Sequence, residues 1–189
     1  ERKDIGREPE KIQCPVKEVE GVRVIHQSIF TAGIAYIQLL FDTKGVPAED
    51  LPYVGLLKSV LGYVDTEDHS YADLTSEIYL NTGGLDLSVT AYGDLRQPGV
   101  FTGVFSAKIK VLYEKTDQAF TILREVLTRS KLDDEKRLGE ILMENRSRAR
   151  MRLEQASHSA AVARATSYFS PAASFNDITG GIGYYHFLE

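Results

Sequence analysis

Hydrophobic and polar positions along this chain repeatedly change period, and each change predicts a new element. Ile34-Ala-Tyr-Ile-Gln-Leu-Leu-Phe41 is rich in aromatic and branched residues and apolar at both parities. That pattern predicts a strand buried on both faces and therefore central in its sheet. Asp42-Thr-Lys-Gly45 ends it. Pro47, Glu49 and Asp50 then predict a helix start, because proline lacks the N–H that a first turn leaves unpaired and acids complement the helix dipole. Leu51, Val54, Leu57 and Leu61 form the apolar stripe of that helix. A second helix opens at Ser70-Tyr-Ala-Asp73, spaced as a capping box, and runs to Leu80 before Thr82-Gly-Gly84 stops it.

From Leu85 the period drops to two. Leu85, Leu87, Val89 and Ala91 alternate with Asp86, Ser88, Thr90 and Tyr92. After a turn over 94–99, Phe101, Gly103, Phe105, Ala107, Ile109 and Val111 alternate with Thr102, Val104, Ser106, Lys108 and Lys110. Strands over 85–92 and 101–112 should therefore pair antiparallel, one face dry and one solvated. From Lys115 the period is helical, with Phe120, Leu123 and Leu127 on one stripe and a longer helix from about Asp133 through Leu153. The small residues of 156–165 predict a close-packed helix, which Pro171 punctuates, and a last amphipathic segment covers 175–188. The order predicts an α+β fold: an antiparallel-dominated sheet with helices packed on one face, an α/β sandwich.

With 189 residues, 43% apolar and 26% charged, the chain suits one ordinary globular domain. A net charge of −5 argues against a nucleic-acid partner, and no apolar run is long enough to predict a membrane span. Residues 1–21 are charged, carry Pro9 and Pro15 and lack sustained periodicity, so they read as a linker or hinge tail before a domain at 22–189. The opening residues contain neither a Met nor an apolar signal segment, and the last segment reaches Glu189 without a stop signal. The chain thus reads as an excised piece, cut short at its C-terminal end. Cys14, alone, rules out an intrachain disulfide.

Candidate chemistry is sparse. Asp65-Thr-Glu-Asp-His-Ser70 gathers three acids and a histidine, enough to consider a divalent ion, but a polar interhelical loop with Ser70 as cap explains more of its residues. His26, His158 and His186 stand isolated. Arg146, Arg148, Arg150 and Arg152 spread around a helix, which suits a solvated surface or a contact with acidic peptide. Gly180-Gly-Ile-Gly183 follows no strand and has no phosphate-loop lysine, so it reads as a close helix contact or a kink. No G-x-S-x-G elbow occurs.

Several longer stretches carry a resemblance: Val46-Pro-Ala-Glu-Asp-Leu-Pro-Tyr53, Val64-Asp-Thr-Glu67 followed by Tyr71, Thr82-Gly-Gly84, Ser167-Tyr-Phe-Ser-Pro171 and Gly183-Tyr-Tyr-His-Phe-Leu188. Together they resemble the first domain of the C-terminal half in insulysin/pitrilysin-type zinc metallopeptidases of the presequence-protease branch. The resemblance implies two similar lobes joined by a hinge, closing around unstructured peptides, with zinc only in the N-terminal lobe. In the family's catalytic repeat the helix matching 51–62 carries H-x-x-E-H. Here it carries Tyr53, Leu56 and Leu57 and no histidine. The third zinc ligand would fall near Glu144, which has Arg148 one turn on.

The resemblance further implies a non-catalytic substrate-chamber domain without a cofactor of its own. Zinc is expected in the catalytic lobe of the parent, and that lobe and peptide substrates are the implied partners. A catalytically inert scaffold of the same fold is the alternative. The implied setting is soluble: cytoplasm in a bacterium, organelle matrix in a eukaryote. Combined with the alternation of the strands, the resemblance makes Ser88, Thr90, Tyr92, Ser106 and Lys108 the candidate chamber contacts. Leu87, Val89, Phe105 and Ile109 should pack beneath the helices.

Overall fold

The computed structural model describes residues 14–94, 96–97 and 99–189 and divides into two compact units, 1–33 and 34–189. In the first unit, β1 (Val16–Val19) and β2 (Val22–Ile25) form an antiparallel hairpin with Val16 opposite Ile25. Order therefore does not begin near Val22, as expected, but includes part of the segment read as linker. Branched valines supply strand propensity, and Glu20 and Gly21 both adopt positive φ, the two-residue turn that matches strand twist. The remainder of the linker reading, including Pro9, lies outside the described residues.

The second unit is built on a three-stranded antiparallel sheet of β3 (Ile34–Asp42), β4 (Leu85–Gly93) and β5 (Phe101–Leu112), in the order β3-β5-β4. The long strand β5 is thus central among the described residues, and β3, expected there, is at the edge. A two-sided apolar pattern shows which strand is hydrophobic, not where it pairs.

Two helices separate β3 from β4. After a 3-10 turn at Ala48–Asp50, α1 spans Leu51–Val60, so Pro47 begins the turn and Pro52 sits in the first helical turn, where no N–H is needed. The expected cap forms at α2 (Tyr71–Asn81): the Ser70 hydroxyl accepts from the Asp73 N–H at 3.2 Å. At its end, Gly84 takes φ 108°, closed to a residue with a Cβ, and the Gly83 N–H donates to the Lys110 carbonyl at 2.7 Å, feeding β4 into the sheet.

Five helices follow: α3 (Thr116–Thr128), α4 (Glu135–Gln155), α5 (Ser157–Ser167), α6 (Pro171–Gly180) and α7 (Ile182–Leu188). The single last segment expected over 175–188 is two helices broken at Gly181. On α3 the buried stripe is Ala119, Ile122, Leu123 and Val126, and Phe120, expected inside, is exposed. The small residues of α5 predict close packing, yet this helix buries no residue of its own.

One core joins Phe105, Ala107, Ile109 and Val111 of β5 to Val54 and Leu61, to Leu74 and Ile78 of α2, and to the α3 stripe. Leu39, Leu87 and Val89 pack against its margin. Farther along the same face, Phe175 of α6 lies 5.7 Å from Phe101, ring to ring. It fits there because Gly103 has no side chain. The architecture is the expected α+β arrangement of helices on one sheet face.

Candidate functional site

Strand register decides which side chains share the face turned away from the helices. Directly opposed residues lie on the same side of a sheet. Ser88 opposes Ser106, Asp86 opposes Lys108, Thr90 opposes Val104 and Tyr92 opposes Thr102. The five candidates from the alternation are therefore brought onto one face, with Leu87, Val89, Phe105 and Ile109 on the other.

Their accessibility differs. Tyr92 is 51% exposed and Lys108 is exposed, whereas Ser88 and Thr90 are half-buried. Ser106, expected to face outward, is only 3% exposed, and its hydroxyl accepts from the Gln38 amide at 2.9 Å. A small residue on a central strand sinks between longer neighbours, so alternation places it on the face without making it a contact.

The face also includes residues that the alternation of 85–112 did not reveal. Leu40 opposes Ser106 and Tyr36 opposes Lys110, which puts both beside the candidates. They are 55% and 66% exposed. Leu40, Ser106 and Ser88 thus form one row across three strands. Gln38, the lone polar residue of an apolar run, was the signal for this parity of β3. Apolar and aromatic surface interleaved with Asp86, Lys108 and Lys110 can hold an extended chain by stacking, burial and charge.

The interhelical loop is an anchored element. Asp65 accepts from the Tyr71 N–H at 2.7 Å, and the backbone of 65–67 bonds that of Arg129 and Lys131. Beneath it, Glu125 of α3 is 6% exposed, accepts from the Thr66 hydroxyl at 2.5 Å and lies 2.9 Å from His69 Nδ1. That hydrogen bond raises the His69 pKa above its usual value, with the carboxylate charge adding to it. Asp68 pairs with Arg129 at 2.5 Å. The acids and His69 are engaged in holding helices together, and among the described residues no group of three His, Cys, Asp or Glu side chains converges as a metal site would need.

Glu144 is exposed on α4 and pairs with Arg148 at 2.5 Å, as their spacing suggested. Arg150 pairs with Glu154 at 2.8 Å. His26 and His158 are exposed, and His186 pairs with the nearby Glu189 at 3.2 Å.

The glycine segment 180–183 wraps a carboxylate supplied by the chain itself. Asp177, 5% exposed, accepts from the N–H groups of Ile182 and Gly183, each at 3.1 Å, and is ion-paired with Arg164 of α5. A Cβ at Gly181 or Gly183 would fall 2.7 or 2.6 Å from an Asp177 carboxylate oxygen. The kink expected from these glycines is present, and its cause is this cap. Neither Asp177 nor Arg164 stands out by spacing.

No helix among the described residues is long and apolar enough to cross a membrane. The chain is 31% identical over 185 residues to Protein HypA of Clostridium perfringens, covering 98% of this chain and 19% of that protein. Presequence protease 1, chloroplastic/mitochondrial, of Arabidopsis thaliana is 26% identical over 98% of this chain and 17% of its own length. The mitochondrial presequence protease of Yarrowia lipolytica is 30% identical over 84% of this chain and 16% of its own length. The chain thus spans about a fifth of the length of these relatives. Residues 1–189 match the family described as Peptidase M-16C associated, and the chain belongs to it, in the presequence-protease branch of the insulysin/pitrilysin-type peptidases.

Proposed function

We propose that this domain is a non-catalytic wall of the peptide chamber in a larger zinc metallopeptidase that degrades unstructured peptides. The catalytic lobe lies elsewhere in the same polypeptide and hydrolyses the peptide with zinc-activated water. The observation that carries this reading is the sheet face bearing Tyr36, Leu40, Tyr92 and Lys108, exposed in a unit whose helices all pack on the opposite side. On α1, the helix matching the zinc-binding helix of the catalytic repeat, Val54 is buried in the core and Leu57 packs against it, so this helix serves packing. The relatives named for mitochondria and chloroplasts favour an organelle matrix if the source is eukaryotic, and the cytoplasm if it is bacterial.

The test is made in the full-length protein with Tyr92→Ala combined with Lys108→Ala. Loss of a stacking ring and a charge should weaken binding of an unstructured peptide roughly tenfold, with the unfolding midpoint unchanged. Unchanged affinity would reduce the face to ordinary surface and favour an inert scaffold.

A further inference from the structure

Between α1, α4 and α7, on the helix side of the sheet, lies a cavity of about 440 Å³ lined by Lys58, Asn145, Arg148, Arg152, Gln155 and Tyr184, among others. Its charged lining is entirely cationic in a chain whose net charge is −5. Lys58 is held in place: its ammonium donates to the Thr179 carbonyl at 3.0 Å and lies 5.5 Å from the centre of the Tyr184 ring. That leaves ammonium protons for another acceptor. Arg148 is paired with Glu144, but the Arg152 guanidinium has no hydrogen-bond or ion-pair partner among the described residues. Burial, and then the charge of Arg152, lower the Lys58 pKa, so the two cations repel across a partly desolvated space.

Elsewhere in the unit, cations that converge on a structured spot carry an acid: Arg129 has Asp68, Arg137 has Glu140, Arg150 has Glu154 and Arg164 has Asp177. Lys58 and Arg152 are the exception. The Tyr184 hydroxyl, buried beside them, accepts from the Asn145 amide at 3.3 Å, which orients that amide at the cavity wall. Two cations and neutral amides on helix sides suit a carboxylate. The glycine loop or helix N-terminus that cradles a phosphate is not part of this lining.

We propose that this cavity is a carboxylate-binding site in which Lys58 and Arg152 form the ion pairs and Asn145 and Gln155 supply amide N–H donors. The carboxylate comes either from a free organic acid or from an acidic residue of a peptide. Calorimetric titration of the full-length protein separates these sources, with succinate as one probe and acetyl-Ala-Ala-Glu-Ala-Ala-amide as the other, against its Gln counterpart. At least one carboxylate probe should bind saturably, and the Gln peptide should not. Arg152→Gln should weaken that binding about tenfold or more, as for a lost charge-assisted hydrogen bond. Since the Arg152 guanidinium has no partner among the described residues, its variant should keep the wild-type unfolding midpoint, which separates lost binding from lost folding. Lys58→Met should weaken binding similarly. The proposal is overturned if neither carboxylate probe binds at millimolar concentration, if Arg152→Gln binds as wild type does, or if inorganic phosphate binds more tightly than both.

Discussion

Glu125 shows how a buried charge is made tolerable. A carboxylate out of water is costly unless its oxygens are bonded, and Thr66 and His69 meet one of them at 2.5 and 2.9 Å. Because His69 has its pKa raised above 6.5 in the folded protein, its charge stabilises the fold fully below that value. The contribution disappears as pH rises through the raised folded value. Unfolding free energies of wild type and His69→Gln should therefore differ most near pH 6 and converge at pH 9, measured by urea titration. A constant difference across that range would mean that the imidazole acts by packing alone. Gly103 makes the opposite demand, for absence of atoms. A Cβ there would fall 2.5 Å from the Thr43 hydroxyl and 2.6 Å from the Phe175 ring. Gly103→Ala should cost about 1–3 kcal/mol by overpacking, read as a lowered denaturant midpoint with an unchanged slope.

Asp177 joins elements as Glu125 does, but at the ends of three helices. It lies on α6, caps the first turn of α7 and binds Arg164 of α5. Asp177→Ala should cost about 2–4 kcal/mol, since it removes two charge-assisted hydrogen bonds and strands a guanidinium. The amides of Ile182 and Gly183 should exchange much faster, while those of β5 follow only the global loss. Equal loss of protection everywhere would mean that α7 has no separate opening for the cap to control. Such elements were unequally legible. Ser70 and its partner Asp73 could be read because a cap is local, and the alternation of 85–112 because the period of a strand is local too. The place of β3 at the sheet edge, the sinking of Ser106 and the Asp177–Arg164 pair depend on residues brought together by the fold. The absence of buried residues in α5 has the same origin: small side chains permit close packing, but a neighbour must be present.

At the scale of the whole unit, one sheet divides the molecule into a side that holds it together and a side that remains accessible. Phe105, 8% exposed, lies within the core with residues of α1, α2 and α3 around it. Phe105→Ala should cost about 3–5 kcal/mol, combining lost transfer energy with an unfilled cavity. Leu40, one residue away from Phe41 and on the other side of the sheet, is 55% exposed and should behave differently. Leu40→Thr keeps strand propensity and removes apolar surface already in water, so its stability should change by less than about 0.5 kcal/mol. If the face lines a peptide chamber, the same substitution should raise the peptide's dissociation constant in the full-length protein, and Tyr36→Ser should add to the effect because its ring stands beside the same row. Phe105→Ala should alter affinity only where it also unfolds the protein. Affinity lost through Phe105 at temperatures where the fold is intact, but retained in the Leu40 and Tyr36 variants, would assign the peptide contact to the helix side. The two outcomes are separable because a strand presents successive residues to opposite faces. Equal affinity in all three variants would leave the sheet with a structural role only.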